Sequence, residues 1–99
     1  MRKVVYKYPI SLSSDFSMTL PQGHKVIRVF TQYDIYATMW LEVDPDSPAV
    51  SFKFATIPTG YEIPNGYVYQ GTFELDRGDY IGHLYQNVIG RLSLPDTHI

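Results

Sequence analysis

The sequence has no cysteine and no long apolar run. Without cysteine, the chain has neither disulfides, nor thiolate metal ligands, nor a cysteine nucleophile. No apolar segment approaches the ~20 residues that cross a bilayer as a helix. A charged residue, Lys7, follows soon after the start, where a secretory signal would be apolar, so no signal peptide is predicted.

The common catalytic and nucleotide-binding motifs are also missing. No serine lies in a Gly-x-Ser-x-Gly elbow, and neither the phosphate-binding loop nor the Gly-x-Gly-x-x-Gly pattern occurs. The three histidines, His24, His83 and His98, are far apart and lack the short spacing of metal ligands. Asp44 and Asp46 flank a proline without the glycine and further oxygens of a calcium loop, which predicts a structural turn. We therefore predict no enzymatic activity, no metal and no cofactor.

Length and composition predict a single domain over residues 1–99, with residues 90–99 as a loosely held tail. Apolar residues make up 44% of the chain and charged residues 18%, which is typical of a chain that buries a core. The formal net charge of −2 argues against a nucleic-acid partner, because such proteins usually carry a basic face.

Charges of each sign gather in separate parts of the sequence. The basic group is Arg2, Lys3 and Lys7, and the acidic group is Glu74, Asp76 and Asp79. One interpretation is two solvated surface patches, and the other is a head-to-tail charge contact between subunits.

Alternation of apolar and polar residues, broken by turn residues, predicts an all-β fold. We expect a small antiparallel sandwich or partly open barrel of about seven strands. The predicted strands are residues 3–8, 15–20, 24–32, 35–43, 50–55, 67–75 and 80–88. The first two are interpreted as a hairpin or a pair of edge strands, and the fourth as central, because both of its faces carry large apolar groups. A hairpin turn is predicted at residues 76–79, with Gly82 roughly opposite Gly71.

Nine tyrosines are more than one small core can hide, so several are predicted on the surface. Tyrosine is enriched at protein interfaces, and exposed strand edges need covering. Both features favour a homo-oligomer.

The candidate binding site is the loop at residues 58–66 with its flanking strands. Its two prolines and its glycines predict a loop ordered by turns, and such loops on rigid scaffolds often carry function. The candidate residues are Thr59, Gly60, Tyr61, Glu62, Tyr67, Tyr69, His83 and Tyr85. The alternative is a loop that only crosses one end of the fold. His83 is either a half-buried strand histidine bonded to a neighbour or an acid/base or ligand contact in a pocket.

Aromatic residues on the later strands raise the question of nucleic-acid stacking. Tyr67, Tyr69 and Tyr85 could form a platform for unpaired bases. The basic residues in or near the core strands are few, namely Arg28, Lys53 and Arg77. This scarcity again argues against a nucleic-acid partner.

Several short motifs follow one another in a recognisable order. They are YKYPI at residues 6–10, LPQG at 20–23, VDP at 43–45 after Trp40, TG at 59–60 and YQGT at 69–72, with His83 in the closing strand. The ordered set resembles a family of short tailed-bacteriophage proteins without an established activity. The chain departs from that pattern at Ile10, where the family has leucine, and in its longer tail after Tyr85. The resemblance implies a phage source and a location in the host bacterial cytoplasm.

These observations favour an accessory interaction protein of a phage. It would bind a host protein, or sequester a small signalling molecule such as a nucleotide, in counter-defence or host takeover. A second hypothesis is a small hydrolase or nucleotide-processing enzyme that uses His83 with Glu62 or Glu74. A third is a minor component of the virion.

Overall fold

A computed structural model describes residues 2–88, and these residues form seven β-strands. The strands are β1 (Val4–Pro9), β2 (Phe16–Pro21), β3 (Lys25–Gln32), β4 (Tyr36–Val43), β5 (Ala49–Pro58), β6 (Tyr67–Leu75) and β7 (Tyr80–Asn87). A short 3-10 turn at Asp76–Gly78 joins β6 to β7. The predicted tail at residues 90–99 lies outside the described residues. No helix among residues 2–88 has the length and apolar character needed to cross a bilayer.

The strands form two antiparallel sheets, which confirms the predicted all-β fold. One sheet has the order β1-β4-β3, and the other has the order β2-β5-β7-β6. Strands β1 and β2 therefore lie at the edges of different sheets, and the prediction of edge strands is correct. The alternative of a hairpin is wrong, because β1 pairs with β4, with Val4 opposite Val43.

Strand β4 lies at the centre of its sheet, as predicted. Met39, Leu41 and Val43 point into the core and are almost completely buried. Alternation along the predicted strand at residues 35–43 would place Ile35 on this face, but Ile35 is 64% exposed. The cause is the preceding turn, where Tyr33 and Asp34 both have positive φ and Ile35 donates a backbone hydrogen bond to the Gln32 carbonyl.

The two sheets share one apolar core. Its buried members are Ile10, Leu20, Ala37, Met39, Leu41, Val43, Phe52, Phe54, Phe73, Leu75 and Leu84. Full burial of a large apolar side chain contributes about 1.5–3 kcal/mol each, so this core supplies the main stabilisation. Tyr8 and Tyr80 pack against it, and burial raises the pKa of both phenols, with a smaller contribution from Tyr6 in the case of Tyr8.

Strands β3 and β6 approach closely where the sheets meet. A Cβ atom added to Gly71 would lie 2.6 Å from Val29 Cγ2 and 2.7 Å from Val29 Cβ. Nearby, the Thr31 hydroxyl donates to the Glu74 carbonyl, which ties β3 to β6. The backbone N–H of Arg77 also donates to the Asp34 carboxylate at 2.9 Å. This side of the fold therefore has room only for glycine at position 71.

The register of β6 and β7 corrects one prediction. Gly82 lies opposite Phe73 and Gly71 lies opposite Leu84, so the two glycines do not face each other. The turn places Leu75 opposite Tyr80. Counting away from the turn along both strands then gives every pair as far as Gly71 and Leu84. The predicted hairpin turn itself is confirmed, with Gly78 at φ 90°.

The proline-rich turn after β4 is structural, as predicted. Asp44 accepts a hydrogen bond from the backbone N–H of Asp46 at 3.0 Å through its side chain. The Asp44 carbonyl accepts another from Ser47 at 3.0 Å. These two hydrogen bonds form an aspartate-led turn that ends β4.

We predict that Gly71→Ala destabilises the fold by about 1–3 kcal/mol, because the new methyl group collides with Val29. Chemical denaturation measures the change in the free energy of unfolding. The double variant Gly71→Ala with Val29→Ala should lose less free energy of unfolding than the two single variants lose in sum. The reason is that Val29→Ala removes Cγ2, the atom closest to the new methyl group. An unchanged free energy of unfolding in Gly71→Ala would contradict the close approach.

Candidate functional site

The candidate site lies on the outer face of the four-stranded sheet. Leu84 on β7 points into the core, so its neighbours His83 and Tyr85 point outward. On one side, Ile57 of β5 lies opposite His83. On the other side, Thr72 of β6 lies opposite His83. His83 therefore occupies the middle of this outer face.

A chain of four polar side chains crosses the face through His83. The Thr59 hydroxyl lies 2.9 Å from His83 Nε2, and the Thr72 hydroxyl lies 2.8 Å from His83 Nδ1. The Tyr69 hydroxyl lies 2.6 Å from the Thr72 oxygen. In a neutral imidazole one nitrogen donates and the other accepts, and a threonine hydroxyl can take either role. The chain thus holds the ring in one orientation.

These contacts agree with the first of the two interpretations of His83. It is a half-buried strand histidine bonded to its neighbours, as the first interpretation predicted. The carboxylates proposed as its partners, Glu62 and Glu74, form no hydrogen bond or ion pair with it within residues 2–88. Two threonine hydroxyls occupy those positions instead.

Two tyrosine rings extend the face beside this chain. The ring centroids of Tyr69 and Tyr85 are 5.7 Å apart at an interplanar angle of 69°, an edge-to-face contact. A bulge between Tyr69 and Gly71 shifts the register, so that Tyr69 lies opposite Tyr85. Without this extra residue, Gln70 would take that place and Tyr69 would point towards the core.

The loop at residues 58–66 is ordered by turns, as predicted. The backbone N–H of Tyr61 donates to the Pro58 carbonyl at 3.2 Å, and that of Tyr67 donates to the Pro64 carbonyl at 3.4 Å. Gly60 adopts φ 95°, a backbone angle that residues other than glycine rarely adopt. The loop is therefore held at both ends over the edge of the sheet.

The loop and the sheet enclose a surface depression of about 200 Å³. Its lining residues are Ile57, Pro58, Thr59, Gly60, Tyr61, Ile63, His83 and Tyr85. This volume is below the roughly 300–1,000 Å³ of a typical small-molecule pocket. It is large enough for a single side chain or ring.

Most of the predicted site residues converge here. Those lining the depression are Thr59, Gly60, Tyr61, His83 and Tyr85, and Tyr69 joins them through Thr72 and Tyr85. Glu62 and Tyr67 do not line it. Sequence reasoning missed Thr72 and Ile57, although counting back from the hairpin turn would have placed Thr72 opposite His83.

The basic group found in the sequence lies away from this face, whereas Glu74 shares it, two residues after Thr72 on β6. Arg2 pairs with Asp46 at 3.3 Å and Lys3 pairs with Glu42 at 3.2 Å, and all four side chains keep solvent contact. Exposed pairs of this kind contribute about 0–1 kcal/mol. Within residues 2–88, no cluster of histidine and carboxylate side chains has the geometry of a metal site.

Comparison with known protein families gives one match, which covers most of the chain. Residues 1–91 match DUF7352, a domain of unknown function. The chain belongs to this family. The match covers all seven strands and the polar chain through His83. No curated protein and no solved structure matches the chain.

We predict that Thr72→Val destabilises the protein by about 0.5–1.5 kcal/mol, because it removes the hydroxyl between His83 and Tyr69. The control is Thr19→Val, which changes an exposed threonine on β2 of the same sheet and should leave stability nearly unchanged. Chemical denaturation measures both, and the ring nitrogen resonances of His83 should shift in the first variant alone. Equal behaviour of the two variants would contradict the polar chain.

Proposed function

We propose that this chain is an interaction module that binds a protein partner through the face around His83. The observation that carries the proposal is the depression of about 200 Å³ beside the exposed ring of Tyr61. A cavity of this size accepts one anchoring side chain from a larger partner. The remaining contacts of such a partner would lie on the rim, whose exposed side chains favour a protein.

The chemistry of the rim supports the same proposal. Tyr61, Ile63 and Tyr69 are exposed large side chains grouped around the depression. Tyrosine at an interface supplies a large contact area at a low cost in side-chain entropy, together with a hydroxyl for hydrogen bonding. The bonded His83 and the double-turn loop keep the surface in one shape, which reduces the ordering cost of association.

The setting of this binding is part of the proposal. The sequence resemblance to phage proteins leads us to propose a host bacterial protein as the partner, met in the host cytoplasm. A homo-oligomer is the second candidate, favoured by the exposed outer strands β1 and β2, whose free backbone edges could pair with another copy.

Native mass spectrometry of the protein purified from bacterial cells tests this function. We expect a discrete complex whose extra mass corresponds to a protein. The variant Tyr61→Ser should lower its occupancy by about tenfold or more, as for an interface hot spot. The matched control is Tyr33→Ser, since Tyr33 is 77% exposed and Tyr61 is 71% exposed, and the control should leave the complex intact.

Four results would overturn the proposal. A bare monomer would show that no partner is bound. An extra mass of a few hundred daltons would identify a small ligand in place of a protein. A multiple of the chain's own mass would assign the face to self-association. Equal losses in Tyr61→Ser and Tyr33→Ser would move the interface away from His83.

A further inference from the structure

The outer face of the three-stranded sheet collects positive charge. On either side of Trp40 in β4, the register places Lys7 of β1 and Arg28 of β3. One row further along, Lys25 lies opposite Glu42, and Lys3 reaches the same carboxylate at 3.2 Å. Half of the eight lysines and arginines of the chain therefore share this face.

Negative charge is almost missing from the same surface. Glu42 is the one acidic residue at the outward positions of β1, β3 and β4, and its carboxylate pairs with Lys3. Within residues 2–88, no carboxylate forms an ion pair with Lys7, Lys25 or Arg28. Lys7 instead donates to the Gln32 side chain at 3.2 Å. These cations remain available to an anionic partner.

Aromatic rings lie between the cations. The Arg28 guanidinium lies 5.2 Å from the ring centroid of Phe30 and 5.2 Å from that of Trp40. The two rings are themselves 5.0 Å apart. Tyr36, four residues before Trp40 on the same strand and face, adds an exposed ring roughly 14 Å away. The face therefore offers three aromatic rings, and two of them, Phe30 and Trp40, lie beside a positive charge.

We propose that this face binds single-stranded nucleic acid. Unpaired bases stack on aromatic rings and on arginine planes, while nearby cations contact the phosphates. The row Lys7–Trp40–Arg28 has this composition, with a ring flanked by a cation on each side. A duplex hides its base faces and is read instead by elements that enter a groove. An acidic peptide would use the lysines and leave the rings without a role.

The overall charge of −2 does not oppose this assignment, because the charges are segregated. The sequence suggested only scattered basic residues near the core strands, since Arg28, Lys53 and Arg77 are far apart. Pairing of β1 and β3 with β4 brings Lys3, Lys7 and Lys25 beside Arg28. A basic face therefore forms on a chain that is acidic as a whole.

Trp40 is the single tryptophan of the chain, so its fluorescence reports directly on this face. The probe is an oligothymidylate of roughly 12 nucleotides, a length within the range that one small single-strand-binding domain covers. We expect saturable quenching of Trp40. With about three phosphate contacts, the logarithm of affinity should fall with the logarithm of salt concentration with a slope of about −2.

Charge-reversal variants locate the binding. Lys7→Glu with Lys25→Glu should weaken binding by about tenfold or more, because two phosphate contacts become repulsive. The control is Lys53→Glu with Arg77→Glu, which changes the net charge by the same amount on other surfaces and should weaken binding less than about twofold. Thermal unfolding of both pairs confirms that each is folded.

Three outcomes would overturn the proposal. The first is no quenching at about 100 µM oligonucleotide, the weak limit of non-specific binding. The second is an equal loss of affinity in both pairs of variants, which would show that binding is not located on the face around Trp40. The third is equally tight binding of polyglutamate of matched charge, which would assign the face to an acidic protein.

Discussion

The packing of two sheets over one shared core is the constraint on which the rest of the structure depends. The chain is short, and its large apolar side chains, such as Leu41 and Phe54, fill the inner faces. Because side chains alternate along a strand, every inward residue leaves a neighbour pointing outward. The sheets approach so closely at Gly71 that a Cβ atom there would collide with Val29. The remaining aromatic and charged residues are therefore distributed over two outer faces of different chemistry.

The strands could be predicted from the sequence because their alternation is local. The bounds of β6 and the central position of β4 were both predicted correctly. The sheet order could not be predicted in the same way, because β1 pairs with β4 across the intervening residues 10–35, which include two other strands. The placement of Ile35 on the inner face was wrong because Tyr33 and Asp34 have positive φ and form a turn. Regular alternation therefore starts only at Tyr36, the first residue of β4.

The candidate site was predicted in part, since Thr59 and Tyr61 lie on one loop whose turn residues are visible in the sequence. Its connection to Tyr69 needed the bulge in β6, for which the glycine at position 71 within the strand was an overlooked signal. The basic face was missed altogether, although Lys7 and Arg28 were both noted as charges. A residue's neighbours across a sheet depend on register, and register became known only with the pairing to β4. The sum of the charges was a poor guide, because binding depends on where charges lie.

The central claim is that the two outer faces have separate roles, one for a protein partner and one for nucleic acid. Backbone amide chemical shifts of the isotope-labelled protein, recorded while oligothymidylate is added, test it most directly. The claim predicts shifts that concentrate on β1, β3, β4 and the Trp40 indole, with His83 and Tyr85 unchanged. Shifts centred on His83 and Tyr85, or shifts spread evenly over both sheets, would contradict it.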